Sequence, residues 1–205
     1  MAETVHVVDD HEAIRRSLAL LLGAAGHTVT TYESGEALLA AAEGGLAPGC
    51  IILDVRMPGR DGLLVMEALS ERHLALPVIV VTGHGDVPLA VRAMRAGAQD
   101  FVEKPYSEAR ILGAVAEALE AGRAAERAQT RRAEAAARLA VLSPREREVL
   151  DALVEGRANK AIAAALGISP RTVEVHRAHL MEKLGVRSLP EAVRLHLAAM
   201  PGQED

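Results

Sequence analysis

The chain has 205 residues, half of them apolar, with two Tyr, one Phe, no Trp and a formal net charge of −5. Its cores must therefore be aliphatic, and so acidic a chain cannot hold nucleic acid by bulk attraction, only through a local patch. One cysteine, Cys50, excludes an internal disulfide and any multi-cysteine metal centre.

No apolar stretch approaches the ~20 residues needed to cross a bilayer. The opening MAETVHVVDD has neither a basic n-region nor an apolar h-region, so a soluble cytoplasmic protein with no membrane partner is expected. Charge divides the chain. Residues 1–124 carry 10 Lys+Arg against 17 Asp+Glu, residues 125–138 carry 4 against 2, and residues 139–205 carry 9 of each. With the element patterns below, this predicts a first domain at 1–122, a helical linker at 123–138 and a second domain at 139–205.

In the first domain, short β-branched runs at 5–8, 29–32, 51–53, 78–82 and 101–102 alternate with helical patterns at 12–25, 35–43, 63–72, 89–96 and from 107 onward. Continuous apolar strands are buried on both faces, as in a parallel sheet covered by helices. The fold class is therefore an α/β doubly wound, five-stranded parallel sheet, in which chemistry sits at the carboxyl ends of the strands. Cys50, at a strand entrance, reads as a small buried filler.

The strand ends are informative. Strand one ends in Asp9-Asp10, strand three in Asp54 and strand four in Thr82, while Lys104-Pro105 follows strand five. Converging carboxylates repel unless a cation intervenes, and a hard divalent ion such as Mg2+ suits oxygen ligands. A lysine and a hydroxyl facing that cluster supply the charge partner and donor that a phosphoryl group on Asp54 requires.

The connector, AGRAAERAQTRRAEAAARLA, is alanine-rich and lacks Pro and Ser, which favours a semi-rigid helix continuing the last helix of the first domain. Glu126, Arg127, Glu134 and Arg138 read as charges decorating it.

In the second domain, Ser143-Pro144 followed by Glu146 is a helix start with a Ser cap, Pro in the first turn and Glu at the third position. That helix stops at Gly156. Asn159 is expected to cap a short helix ended by Gly167, Ser169-Pro170 opens a longer one ended by Gly185, and Ser188 caps a fourth. A short helix, a turn with Gly and a longer helix form a helix-turn-helix in an all-α, four-helix domain. On the longer helix Val173, Leu180 and Leu184 share a core-facing side. Arg171, Glu174, Val175 and Ala178 lie near its start on the other side, where Val175 and Ala178 can meet a thymine methyl and Glu174 can accept from cytosine N4. Thr172, Lys160, Lys183 and Arg187 are phosphate candidates. Arg177 falls near the core side, and His176 and His179, three apart, lack an evident third metal ligand.

VVDDH, IILDVRMPGRDGL, VVTGHGDVPLAVRAMRAGAQDF and EKPY resemble the receiver domain of two-component response regulators over about residues 1–122. LSPREREVL, NKAIAAALGISPRTVEVHRAHLMEKLGVRS and EAV resemble the LuxR-type DNA-binding domain over about residues 139–200. The order of the two is that of the FixJ/NarL family, with wording similar to its FixJ branch. The resemblance implies that Asp54 accepts a phosphoryl group from a sensor histidine kinase. Asp10, Asp54 and the backbone carbonyl of Arg56 would ligate Mg2+, with Asp9 nearby. Lys104, next to a cis peptide at Pro105, would pair with the phosphate, Thr82 would donate to it, and Phe101 would be the aromatic that turns inward. Arg56 and His84, each two residues beyond a site residue, Asp54 and Thr82, read either as setting the phosphoryl lifetime or as solvated loop residues.

The output implied is homodimerisation on phosphorylation through a face containing Val91, Arg95 and Asp100. Binding of promoter DNA at half-sites about one turn, ~10 bp, apart or closer would follow, with RNA polymerase as a further partner. The role is that of a switch and not of a metabolic enzyme. An aspartyl-phosphate phosphohydrolase on an α/β fold would need an Asp-x-Asp arrangement and a cap, and the sequence has neither. A DNA binder whose receiver only dimerises also stays compatible with the sequence.

Overall fold

The computed structural model describes residues 3–83 and 87–200. The chain divides into two compact units, Met1–Ala125 and Glu126–Asp205.

The first unit runs β1 (Thr4–Val8), α1 (Glu12–Ala24), β2 (Thr28–Tyr32), α2 (Gly35–Glu43), β3 (Gly49–Asp54), α3 (Gly62–Glu71), β4 (Val78–Thr82), α4 (Val87–Arg95), β5 (Asp100–Glu103) and the start of α5 (Glu108–Leu139). All strand pairings are parallel and the sheet order is β2-β1-β3-β4-β5. The period-2 alternation of a strand sorts its side chains into two cores. Val5, Val7, Cys50, Ile52, Ile79 and Val81 join Leu18 and Leu22 of α1 and Ile111, Val115 and Leu119 of α5. Ile51, Leu53, Val78 and Val80 join Leu38 and Leu39 of α2, Leu63 and Met66 of α3 and Ala93 of α4. Each such aliphatic side chain contributes about 1.5–3 kcal/mol when fully buried.

Cys50 is wholly buried, and burial, then the nearby Glu3, push its thiol up to about 12, which fits an inert filler. His6 is a buried polar side chain within the sheet. Its Nδ1 lies 3.1 Å from the Tyr32 hydroxyl and its Nε2 3.0 Å from the Ala47 carbonyl, so both nitrogens are partnered.

β2 differs from the reading of its sequence. It is an edge strand, with Thr28, Thr30 and Thr31 exposed and Val29 and Tyr32 half-buried, because it has a neighbour on one side only. α4 starts at Val87, two residues earlier than its apolar pattern indicates. His84 lies outside the described residues.

α5 has 32 residues and is about 48 Å long at 1.5 Å per residue. Its first turns bury Ile111, Ala114, Val115, Ala118 and Leu119 on the sheet, residues 124–134 are exposed, and Ala135 and Leu139 are buried again.

The second unit adds α6 (Pro144–Val154), α7 (Asn159–Leu166), α8 (Pro170–Leu184) and α9 (Leu189–Ala199). Leu139, Val149, Leu150, Leu153, Ile162, Val173, Leu180, Leu184 and Ala192 make its core, with Val173, Leu180 and Leu184 inward as their spacing predicts. α6 opens with a complete capping box: Ser143 Oγ accepts from Glu146 N–H, and Glu146 Oε2 accepts from Ser143 N–H at 2.8 Å. Gly185 ends α8 at φ +63°, a left-handed conformation that a residue with a Cβ adopts only at a cost. Two cap expectations are corrected. Asn159 is the first residue of α7 and not its cap; Ala158 holds that position, and the Asn159 side chain is engaged by Arg177 instead. Ser188 stands at the cap of α9 without a side-chain cap bond, while Glu191 Oε2 accepts from Arg187 N–H at 2.9 Å.

Candidate functional site

With β1 followed spatially by β3, the chain reverses winding direction at that pair, and the carboxyl ends there bound the crevice of a doubly wound sheet. Asp9 follows β1, Asp54 ends β3, Thr82 ends β4 and Lys104 follows β5; Asp9, Asp54 and Thr82 are all buried. Lys104 Nζ donates to Asp9 Oδ2 at 2.6 Å and to Asp54 Oδ2 at 2.7 Å. The second oxygens are also engaged: Asp9 Oδ1 accepts from His11 N–H at 2.8 Å and Asp54 Oδ1 from Arg56 N–H at 3.0 Å. Lys104 N–H donates to the Thr82 carbonyl at 2.8 Å, which fixes the base of the lysine to β4, and the Lys104–Pro105 peptide is cis.

Burial pushes the Asp54 carboxyl above the ordinary carboxylate value, although Lys104 and the Arg56 N–H oppose that. Burial works against the Lys104 ammonium, but its bonds to Asp54 and Asp9 outweigh that and hold its pKa above the usual lysine value. The result is a lysine-bridged carboxylate pair.

Asp10 is more exposed than Asp9. Its Oδ1 lies 3.0 Å from His11 Nδ1, and Asp9 Oδ1 lies 3.5 Å from the same nitrogen. Asp9, Asp10 and His11 each offer a ligand atom within 4.8 Å of the others. The carboxylate oxygens of Asp9 and Asp10 are hard ligands that fit Mg2+, and the Asp54 carboxylate, bridged to Asp9 by Lys104, completes the acidic edge. Two positioning groups were not read from the sequence. Arg15, one turn into α1, donates to the main-chain carbonyls of Asp9 at 2.8 Å and Asp10 at 3.0 Å; a basic residue five beyond the Asp pair was its only signal. Gly62 opens α3 so close to β3 that a Cβ there would stand 2.5 Å from the Asp54 main-chain oxygen.

Phe101 is half-buried and packs on the core that holds Leu53 and Val80. Arg56 points its side chain into solvent. Of the expected dimer-face residues, Val91 is 44 % exposed and Arg95 is exposed. Asp100 is occupied within the chain: Arg110 clamps it with bonds of 2.7 and 2.9 Å, which, ahead of burial, hold its carboxyl below the usual range.

In the second unit, Arg171, Glu174, Val175 and Ala178 are exposed on α8, and Lys160 and Arg187 are exposed beside it. Thr172 is half-buried, its hydroxyl 2.8 Å from Ser169 Oγ. Lys183 is engaged: its Nζ donates to Glu146 Oε2 at 2.7 Å. The Lys183 bond, ahead of the Ser143 N–H, lowers the Glu146 carboxyl to about 2. Arg177 donates to Asn159 Oδ1 at 2.8 Å. His176 and His179 join no group of three metal-ligating side chains among the described residues.

Two protein families match the chain: "Response regulator receiver domain" over residues 5–116 and "Bacterial regulatory proteins, luxR family" over residues 140–196. Transcriptional regulatory protein FixJ of Azorhizobium caulinodans is 54% identical over 197 residues, 95% of this chain and 92% of that one. The C4-dicarboxylate transport transcriptional regulatory protein DctR of Rhodobacter capsulatus is 48% identical over 200 residues, 95% of this chain and all of that one. The solved structure of response regulator StyR superposes with a TM-score of 0.77 at 38% identity, over 96% of this chain and 99% of that one.

Proposed function

The chain belongs to the two-component response regulators that join a receiver domain to a LuxR-type DNA-binding domain, phosphorylation-dependent regulators of transcription, and from that premise we propose that Asp54 is the phosphoacceptor and α8 the helix it controls. The observation that carries this reading is the buried Asp54 carboxylate, bridged to Asp9 by Lys104 with Thr82 on the adjoining strand end.

A histidine kinase supplies the phosphoryl group as a phosphohistidine. An Asp54 oxygen attacks phosphorus as the P–N bond breaks, and the imidazole leaves with the bonding pair. Lys104 pairs with the added phosphoryl oxygens and Thr82 donates to one of them. Asp9, Asp10, Asp54 and the Arg56 carbonyl are the groups that hold Mg2+, which when bound offsets the charge of the transferring group. Phe101 turns inward as Thr82 is drawn toward the phosphoryl group; as a phenylalanine it is retained by burial alone. The Arg56 side chain, in solvent beside Asp54, shields the acyl phosphate and sets its lifetime.

Phosphorylation promotes homodimerisation through α4 and β5, where Val87, Val91 and Met94 are exposed along one side of α4 and Arg95 and Asp100 supply charge. Two copies then place α8 in successive major grooves. Arg171, Glu174, Val175 and Ala178 meet base edges and Lys160, Thr172 and Arg187 serve the backbone, while Lys183, held by Glu146, steadies α8 in place of contacting phosphate. The functional parts proposed are residues 1–122, 123–138 and 139–205, working in the cytoplasm with RNA polymerase as the final partner and without metabolic turnover. The direct test is phosphorylation by acetyl phosphate with Mg2+, mapped by mass. The label is expected on Asp54 and absent from Asp54→Asn; a label elsewhere contradicts the assignment.

A further inference from the structure

α8 is held by one polar bond from each of the three helices that precede it. Arg177 reaches Asn159 on α7, Lys183 reaches Glu146 before the second turn of α6, and Arg138 on the last turn of α5 donates from Nη2 to the main-chain carbonyl of Leu184, the last residue of α8. The third bond differs in kind. Leu184 lies at the negative end of the α8 dipole, where a guanidinium is favoured. The N–H groups of Gly185 and Val186 are spent on Glu182 and Met181, and the Leu184 carbonyl accepts from Arg138 of another helix.

The anchor point on α5 is itself fixed. Ala135 is buried, Leu139 belongs to the core of the second unit, and Arg147 Nη2 of α6 donates to the Leu139 carbonyl at 3.0 Å. α5 is also the one helix shared by both units, and its exposed stretch at 124–134 carries no buried side chain between them.

We propose that Arg138 is a positioning residue for DNA recognition: it sets the C-terminal end of α8 from the end of α5 and so couples the state of the receiver to the base-reading helix. This rests on the reading of Asp54 as phosphoacceptor and α8 as recognition helix.

The test uses the full chain, with acetyl phosphate and Mg2+ as phosphodonor and a selected operator duplex as probe. Affinity is measured with and without phosphodonor for wild type, Arg138→Ala, Arg138→Lys and Ile162→Val, the last loosening the same core from α7 with the Arg138 bond left in place. The phosphorylation-dependent gain in affinity is expected to fall ~10-fold in Arg138→Ala, to recover in part in Arg138→Lys, which keeps a cationic donor, and to persist in Ile162→Val. Phosphorylation of Asp54 is expected to be unchanged in all four. A full gain in Arg138→Ala, or an equal loss in Ile162→Val, overturns the proposal. If Arg138→Ala does not fold, Arg138→Lys against Ile162→Val decides it, since an equal response of the two removes any special part for Arg138. No gain in wild type defeats the phosphoacceptor reading itself, and this proposal with it.

Discussion

The main-chain oxygen of Asp54 and the α-carbon of Gly62 are so close that a Cβ on Gly62 would stand 2.5 Å from that oxygen and 2.9 Å from the Val55 α-carbon. Both neighbours are backbone, so neither can swing aside. Gly62→Ala should therefore push the start of α3 away from the end of β3, cost about 1–3 kcal/mol, and displace Asp54 with it. Thermal unfolding is expected to shift downward and phosphorylation of Asp54 by acetyl phosphate to slow. A variant with wild-type rate and midpoint would show that the loop absorbs a methyl group.

Lys104 is the only cation bonded to both buried carboxylates among the described residues. Lys104→Met leaves Asp9 and Asp54 facing each other without compensation, and the loss should be about 3 kcal/mol at neutral pH. Adding Mg2+ should restore much of it, because the ion replaces the missing charge. In the wild type the lysine pKa is raised on folding, so its contribution is complete below the ordinary value of 10.5 and is lost as pH rises through the folded value. Unfolding curves with and without Mg2+ check this; an unstabilised variant in Mg2+ would count against a metal at this edge.

Much of this was legible in the sequence. Continuous β-branched apolar runs and strand-end Asp9, Asp54, Thr82 and Lys104 define the sheet and the crevice, because a parallel sheet leaves its carboxyl ends nowhere else to go. Side-chain partners were not legible. Lys183 reads as a phosphate candidate and Arg177 as a cation near the core side of the helix, yet each is drawn to a particular acceptor, Glu146 or Asn159, that lies 37 or 18 residues away in sequence. Asp100 likewise reads as a free surface charge until Arg110 is seen to clamp it. The end of Arg138 on a carbonyl of α8 has no sequence signal at all, since backbone acceptors carry none.

The Glu146 carboxyl has its pKa lowered from 4.5 to about 2, first by Lys183 and then by the Ser143 N–H. A depressed acid stabilises the fold above its unfolded value, so this contribution is complete above pH 4.5 and is lost as pH falls toward 2. The second unit should lose stability across that window, and Glu146→Gln should flatten the dependence. Helical circular dichroism of residues 126–205 in urea at stepped pH reads it; equal slopes in both proteins would refute the assignment.

Lys160 and Lys183 should part company in DNA binding. Lys160 is exposed, and Lys160→Ala is expected to reduce the salt slope of binding by about 1. Lys183 is committed to Glu146, so Lys183→Ala should leave the slope nearly unchanged while lowering the melting temperature of the second unit. Glu174→Ala should relax base preference at one position, at a cost of about 1–3 kcal/mol in discrimination. Anisotropy titrations at several salt concentrations separate the three.

Control of DNA binding by Asp54 is read by operator affinity with and without acetyl phosphate and Mg2+, in wild type and in Asp54→Asn, with molecular mass recorded in parallel. Phosphodonor is predicted to raise both operator affinity and dimer fraction in wild type and to change neither in Asp54→Asn. Equal binding by both proteins under all conditions would mean a DNA-binding domain attached to a receiver that does not control it.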